Sequence, residues 1–194
     1  MTNLEPIRLD GSFGEGGGQI LRTALALSAV TGRPLELSNI RKGRKNPGLG
    51  NQHLTCVKAL TDVAHAQVEG DRLGSLTLRF TPKALHGGAS MYDVAKERGS
   101  AGSVTLVLQA LLPTLCVAPE PSTVILKGGT HVPFSPPVHY VQAVLLPTLN
   151  QLGLGHAGIV FHALQRNAGC HFRGIMPPSA VARDTPSAIH PRPS

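Results

Sequence analysis

The sequence has little of what marks several large classes of protein. Its three cysteines lie far apart, so neither a disulfide scaffold nor a zinc site of the C-x-x-C type is predicted. Aromatic residues are 4% of the chain, and none of them is tryptophan. No apolar run reaches the roughly 18 residues of a membrane span, and the first residues lack the regions of a secretory signal. These absences favour a cytoplasmic protein without membrane contact.

Acidic residues are also scarce, with 11 Asp and Glu against 18 Lys and Arg, for a net charge of +7. A basic chain suggests a polyanionic partner, although many basic proteins bind none. At 41% hydrophobic residues, the chain is too apolar to be disordered throughout. Its length allows one sizeable core or two small ones.

Strand and helix patterns alternate from about Leu9 to Leu152. Apolar spacing predicts helices over residues 19–31, 51–65, 104–117 and 137–152. Alternation and β-branched residues predict strands ending near Leu9, at 35–38, around Val68, and at 76–80, 123–126 and 158–161. The order recurs at an offset of about 86 residues, which indicates an α/β (α+β) fold made of tandem units.

The predicted organisation has three parts. Residues 1–88 form a first α/β unit and residues 89–160 a second. Residues 161–194 form a divergent tail, since the chain from His156 onward contains no lysine or glutamate. Disorder is expected from about Met176, because little there can bury enough apolar area to offset chain entropy.

The segment Gly14–Gln19 is the first candidate site, at a strand-to-helix junction. Glycines let backbone approach a ligand closely, and a helix N-terminus offers free N–H groups to an anion. The segment fits neither a Walker A loop nor G-x-G-x-x-G. Glu15 would repel phosphate unless it holds a metal ion or a hydroxyl proton. Arg22, one turn later, projects either to the same site or onto a solvated helix face.

The basic loop Arg41–Lys45 is the second candidate, with four cations in five residues. Arginine is suited to bidentate phosphate contacts, so the loop is interpreted as an anion site in preference to a solvated charge run. The polar pair Gln52 and His53 follows it.

Gln109 lies in an otherwise apolar helix, and periodicity leaves open whether its amide is buried or exposed. Pro113 and Pro147 are interpreted as kinks or helix ends, and Cys56 as a core residue.

Four blocks of sequence resemble RNA 3′-terminal phosphate cyclases, in the same order over about residues 9–154. The blocks are Leu9–Arg22, Ile40–Leu49 with Gln52–Leu54, Gly99–Gln109, and Lys127–Thr130 with Pro136–Pro137. The string Glu-Gly-Gly-Gly-Gln-Ile-Leu-Arg is specific by itself.

The resemblance implies an enzyme of ligase type that uses ATP and Mg²⁺ or Mn²⁺. Family members adenylate an active-site histidine and pass AMP to an RNA 3′-phosphate. The neighbouring 2′-hydroxyl then attacks to give a 2′,3′-cyclic phosphate. It also implies βαβαββ-type units with helices packed on four-stranded sheets, of which this chain would hold two of the family's three.

The resemblance assigns roles to individual residues. Glu15 would hold the metal or orient the reacting end. The RNA terminus and its phosphate would be held by Arg22, Arg41, Arg44, Gln52 and His53. The ATP pocket would include Gln19, Gln109 and Pro136.

Some family features are missing from their expected places. The nucleophilic histidine is expected beyond residue 194, and no Gly-x-x-Pro-x-Gly-Gly-Gly segment follows Leu154. His131 stands where an acid or amide is common in relatives. The hypotheses are therefore a truncated or frameshifted cyclase, a non-enzymatic RNA-end-binding relative, or a chain that does not fold alone.

Overall fold

The structure is a computed structural model that describes residues 4–94, 102–153, 158–162 and 169–175, the last two ranges by their backbone alone. The first unit contains four strands and two helices. In chain order they are β1 (Ile7–Asp10), α1 (Gly18–Thr31), β2 (Leu35–Ser38), α2 (Asn51–Ala64), β3 (Gln67–Glu69) and β4 (Leu78–Thr81).

The second unit follows the same order. It comprises β5 (Gly88–Asp93), α3 (Val104–Val117), β6 (Ser122–Lys127), α4 (Val138–Tyr140), a π-helical segment (Val141–Leu145), α5 (Leu146–Gln151), β7 (Gly158–His162) and β8 (Gly169–Ile175). The three helical pieces from Val138 to Gln151 are continuous and occupy the place that α2 has in the first unit.

The two sheets have the same topology. The first has the order β1-β2-β4-β3 and the second β5-β6-β8-β7. In each, the first two strands are parallel and the last two pair antiparallel to their neighbours. The repeat predicted from the sequence is therefore confirmed as two βαβαββ units with four-stranded sheets.

Helix α3 joins the units, because it packs against both α1 and α2. Ten of its fourteen residues are buried, and Leu111 is fully buried. This helix is apolar on almost every side, as expected for a helix enclosed by other elements. A single core cluster runs from Leu21 in α1 through α3 to Leu146 in α5.

The two helix prolines have different effects. Pro113 lies within α3 on its exposed side, and α3 continues past it without a break. Pro147 stands at the start of α5, directly after the π-helical segment. Proline cannot donate to the helix ladder and clashes with the carbonyl four residues back, which accounts for the wider turn at that point.

Two strands were not predicted. They are β5 and β8, and β8 (Gly169–Ile175) lies within residues 161–194, the predicted divergent tail, and pairs with β6. The two glycines and Arg173 of β8 hide the alternation that marks a strand, and pairing with neighbouring strands decides the outcome. The disorder expected from Met176 falls outside the described residues. Within those residues, no helix has the length and apolar character needed to cross a membrane.

Replacing Leu111 by alanine tests the role of α3. The Leu111→Ala variant should lower the free energy of unfolding by about 2–5 kcal/mol, since it leaves a cavity where three helices meet. Leu152→Ala, at a side chain that is 68% exposed, should change it by less than about 0.5 kcal/mol. Denaturant unfolding measures both, and equal effects would contradict the central position of α3.

Candidate anion-binding site

The loop between β1 and α1 is held in shape by its own polar contacts. Asp10 accepts hydrogen bonds from the backbone N–H (2.8 Å) and hydroxyl (2.7 Å) of Ser12, and from the amide of Asn39 (3.2 Å). These bonds, the Ser12 hydroxyl foremost, lower the pKa of Asp10. Gly14 and Gly16 have φ values of 58° and 57°, which glycine adopts without a steric cost.

The loop delivers the chain to the N-terminus of α1. Gly17 is the N-cap residue, and no side chain in the described part of the chain caps the first turn. The N–H groups there are thus without intrahelical partners, and they carry the positive end of the helix dipole. An anion in front of Gly17 and Gly18 would contact these N–H groups and would be attracted by the helix dipole.

Arg22 lies one turn into α1 and is only 8% exposed. One of its terminal nitrogens donates to the Gln19 side-chain oxygen at 3.0 Å. Its Nε is buried and has no hydrogen-bond partner among the described residues. Burial lowers the pKa of Arg22, yet arginine stays charged in proteins. The site therefore contains a buried cation whose Nε–H donates to no acceptor of the described residues.

His53 approaches the loop from α2. The backbone N–H of Gly50 donates to its Nδ1 at 3.0 Å, so the ring proton resides on Nε2. Nε2 lies against Gly18, where any Cβ would overlap it. Burial, then Arg41 and Arg22, lower the pKa of His53 to about 4. The ring is thus neutral near pH 7 and presents an N–H donor.

Two more arginines come from the basic loop. Arg41 has a left-handed backbone (φ 52°) and donates to the Gly48 carbonyl at 2.8 Å. Burial and then Arg44 lower the pKa of Arg41. Arg44 pairs with the carboxylate of Glu15 at 3.2 Å, and its guanidinium faces Gly17.

The arrangement concentrates positive charge at one place. We call Arg22, Arg41, Arg44 and His53, together with the N-terminus of α1, the anion site. Glu15 contacts Arg44 with a side chain that is 93% exposed, and no ion pair within the described ranges reaches Arg22 or Arg41. A site with this excess of donors and charge is suited to a phosphate.

Gln52 was predicted at the RNA terminus, but its side chain bonds outside the anion site. The Gln52 side-chain oxygen accepts the backbone N–H of Ser103 at 2.9 Å, at the start of α3. The Ser103 and Thr105 hydroxyls are 2.8 Å apart, and the Thr105 hydroxyl donates to the Pro136 carbonyl at 2.7 Å. Gln52 thus links the first unit to the start of α3 and to Pro136.

Gln19 and Gln109 also have identifiable surroundings. Gln19 donates to the Thr23 hydroxyl at 2.8 Å and accepts from Arg22, so it positions that arginine. Gln109 is half-buried on α3, four residues before Pro113. Proline has no N–H to donate, and the Gln109 carbonyl therefore lacks its usual helical partner.

Sequence reasoning missed three contributors, namely Gly50, Ser103 and Thr105. The glycine-rich segment before α3 was the available signal for the last two, because it repeats the pattern of the first unit. Gly50 acts through its backbone N–H, which no pattern of side chains reveals.

The described residues contain no cluster of three or more His, Cys, Asp or Glu able to hold a metal ion. The assignment of Glu15 to a metal stays a prediction. Cys56 is buried, which confirms its core position and raises the pKa of its thiol to about 12.

The chain is similar to a family described as RNA 3′-terminal phosphate cyclase, whose match covers residues 13–174. That match extends past Leu154, where the sequence analysis ended the resemblance. Proteins of that name from Gloeothece citriformis, Nostoc punctiforme and Ignicoccus hospitalis are 56%, 52% and 53% identical over 149, 151 and 147 residues. These matches cover 75%, 76% and 76% of this chain. They cover 43%, 43% and 40% of the relatives, so the chain spans about two fifths of their length.

The protonation of His53 tests the electrostatics. At pH 5.5 an ordinary histidine, with a pKa of about 6.5, would be about 90% protonated. His53 should remain neutral by NMR at that pH, and phosphate should raise its pKa by offsetting the two arginines. Because the folded-state pKa lies below the unfolded value, the stability this residue contributes is complete above about pH 6.5 and lost as pH falls toward 4. If the pKa of His53 is near 6.5 and does not change when phosphate is added, the proposed electrostatics of the anion site are contradicted.

The close approach at Gly18 gives a second test. The Gly18→Ala variant adds a Cβ that meets His53 Nε2 and lies 3.0 Å from an Arg22 nitrogen. It should weaken inorganic phosphate binding about tenfold, the size of one lost charged hydrogen bond. The control is Gly43→Ala, because a Cβ there meets nothing within 4 Å. Phosphate ³¹P line broadening measures both, and equal affinities would refute the proposed packing.

Proposed function

The chain belongs to the RNA 3′-terminal phosphate cyclase family, and from that premise we propose that its anion site binds the terminal phosphate of an RNA 3′ end. The proposed reaction of the whole protein is the ATP-dependent conversion of an RNA 3′-phosphate to a 2′,3′-cyclic phosphate through adenylated intermediates, with AMP and pyrophosphate released. RNA and ATP are its proposed partners, and the cytoplasm its proposed location.

The observation that carries the proposal is the buried Arg22 with its unpartnered Nε. Leaving a buried charged donor unpaired is costly, and an incoming phosphate oxygen removes that cost. Arg41 and Arg44 add positive charge from the basic loop, and the Arg44 guanidinium faces Gly17. A terminal phosphate monoester carries nearly two negative charges at neutral pH and offers three acceptor oxygens.

The neutral state of His53 suits a phosphate next to a hydroxyl. Its Nε2–H can donate to an oxygen of the RNA end without adding a third full charge beside Arg22 and Arg41. The Gly50 N–H fixes this tautomer. His53 therefore orients the end, and the arginines neutralise its charge. Charge neutralisation and positioning are the main protein contributions to such group transfers.

We propose that ATP binds beside α3, because the family resemblance assigns Gln19, Gln109 and Pro136 to the nucleotide pocket. The Thr105–Pro136 hydrogen bond holds the Pro136 segment against this helix. The Gln52–Ser103 bond ties the same region to α2, which carries His53. These contacts support an RNA end and a nucleotide held by adjoining parts of one rigid frame.

The family also implies Mg²⁺ or Mn²⁺. The described residues do not fit such an ion by themselves, because Glu15 is one exposed carboxylate already paired with Arg44. Magnesium prefers near-octahedral oxygen ligands.

A second candidate function is RNA-end binding without chemistry, for which the donors and positive charge of the anion site suffice. Nδ1 of His53 already accepts a hydrogen bond and Nε2 carries the proton, so neither nitrogen is free to attack. Cys56 is buried with a pKa of about 12. Neither residue is assigned the nucleophilic role.

Binding of RNA ends by variants of Arg22 tests the proposal. The wild-type chain should bind a 3′-phosphorylated oligonucleotide more tightly than its 3′-hydroxyl counterpart. Arg22→Gln should remove about ten- to a hundredfold of that affinity, the range for hydrogen bonds to charged groups. Fluorescence anisotropy at fixed salt measures both, with circular dichroism to verify folding.

Arg8→Gln is the matched control. It removes the same charge from an exposed side chain that pairs with Glu36 on the sheet. This substitution should change the affinity for the 3′-phosphorylated oligonucleotide by less than about twofold at physiological salt, where separated surface charges are screened. Failure of the wild type to distinguish the two RNA ends, or equal losses in both variants, would contradict a specific phosphate site.

With ATP and magnesium, resistance of the RNA end to phosphatase separates the two candidate functions. Resistance supports the cyclase. RNA binding without resistance supports end binding as the function of these 194 residues.

A further inference from the structure

Phe13 is a large aromatic side chain that the fold leaves in solvent. It is 82% exposed in a chain with five phenylalanines, whereas Phe80 is fully buried. An exposed aromatic ring is a natural stacking surface for a nucleobase, because every base has a π-face.

The backbone of Phe13 is fixed by hydrogen bonds. Its N–H donates to the Asp10 carbonyl at 3.3 Å, and its carbonyl accepts the Gly16 N–H at 3.0 Å. The Asp10 carboxylate anchors the same turn through Ser12 and Asn39. The ring therefore projects from a defined position, and less ordering is needed when a ligand binds.

This turn stands beside the anion site. The Phe13–Gly16 hydrogen bond closes a turn whose end Cα atoms lie within about 7 Å of each other. The next residue, Gly17, faces the Arg44 guanidinium, and Glu15 inside the turn pairs with the same arginine. An RNA end whose phosphate lies at the anion site would extend its last nucleotides past this turn.

We propose that Phe13 is a stacking platform for a nucleobase at the 3′ end of the RNA held by the anion site. This inference rests on the proposed function and adds to it a recognition element for a nucleotide, as distinct from a phosphate alone. Stacking tolerates any base, so Phe13 provides affinity for single-stranded ends with little sequence preference.

The first test compares three substitutions. Phe13→Ala and Phe13→Leu should weaken binding of a 3′-phosphorylated oligonucleotide by about five- to a hundredfold, the range that base–aromatic stacking gives. Phe13→Tyr should keep wild-type affinity, because it keeps the ring. Phe13→Leu separates stacking from general apolar contact. None of the three should change the affinity for inorganic phosphate, which has no base.

The control is Phe134→Ala, which removes the side chain of a second exposed phenylalanine. Phe134 lies in the second unit. This substitution should leave the affinity for RNA unchanged. An oligonucleotide with abasic residues at its 3′ end should bind wild type and Phe13→Ala equally.

A second test uses the absence of tryptophan from the chain. Phe13→Trp introduces a single indole, whose emission should be quenched by the 3′-phosphorylated oligonucleotide and unaffected by inorganic phosphate or the abasic oligonucleotide. This readout is independent of affinity.

The outcomes separate this inference from the proposed function. If the wild type fails to distinguish 3′-phosphate from 3′-hydroxyl RNA, the phosphate site itself is refuted, and the stacking role with it. If that preference is present but Phe13→Ala binds like wild type and the indole is not quenched, the stacking role alone is overturned.

Discussion

The candidate site depends on a buried guanidinium that no carboxylate of the described residues pairs with. Arg22 is enclosed by α1 and the approach of His53, and its Nε is unpartnered among the described residues. Gly18 makes this enclosure possible, because a side chain there would push His53 away. Burial, and then Arg41 and Arg22, lower the pKa of His53 and keep its ring neutral. The site thus holds a deficit of negative charge that an anion would fill.

The second unit contributes support for this site. Helix α3 packs on both helices of the first unit, and the Gln52–Ser103 hydrogen bond fixes α2 at the end that carries His53. The proposed phosphate and nucleotide regions therefore share one core. A substitution that shifts the packing of one unit would also shift the other, because α3 and the Gln52–Ser103 bond connect them and packed interiors transmit strain.

Much of the fold follows from local pattern. The bounds of α1, β2 and α3 were predicted within one residue, because apolar periodicity, Gly32 and Pro34 mark them clearly. β8 was not predicted, since its pairing with β6 is a long-range contact that its own residues do not signal.

The anion site was only partly predictable. Clustering identified Arg41 and Arg44, and the position one turn after the glycine-rich segment identified Arg22. Whether Arg22 was buried or solvated depended on tertiary packing. The bond from Gln52 to Ser103 joins residues 51 positions apart, and no local rule anticipates it.

The most direct measurement is the NMR signal of the Arg22 Nε–H group, assigned by its loss in Arg22→Lys. We expect this signal to shift when a 3′-phosphorylated RNA oligonucleotide is added and to stay in place with the 3′-hydroxyl oligonucleotide. A signal that remains unchanged while the phosphorylated RNA binds would contradict the central claim, because the phosphate would then lie elsewhere.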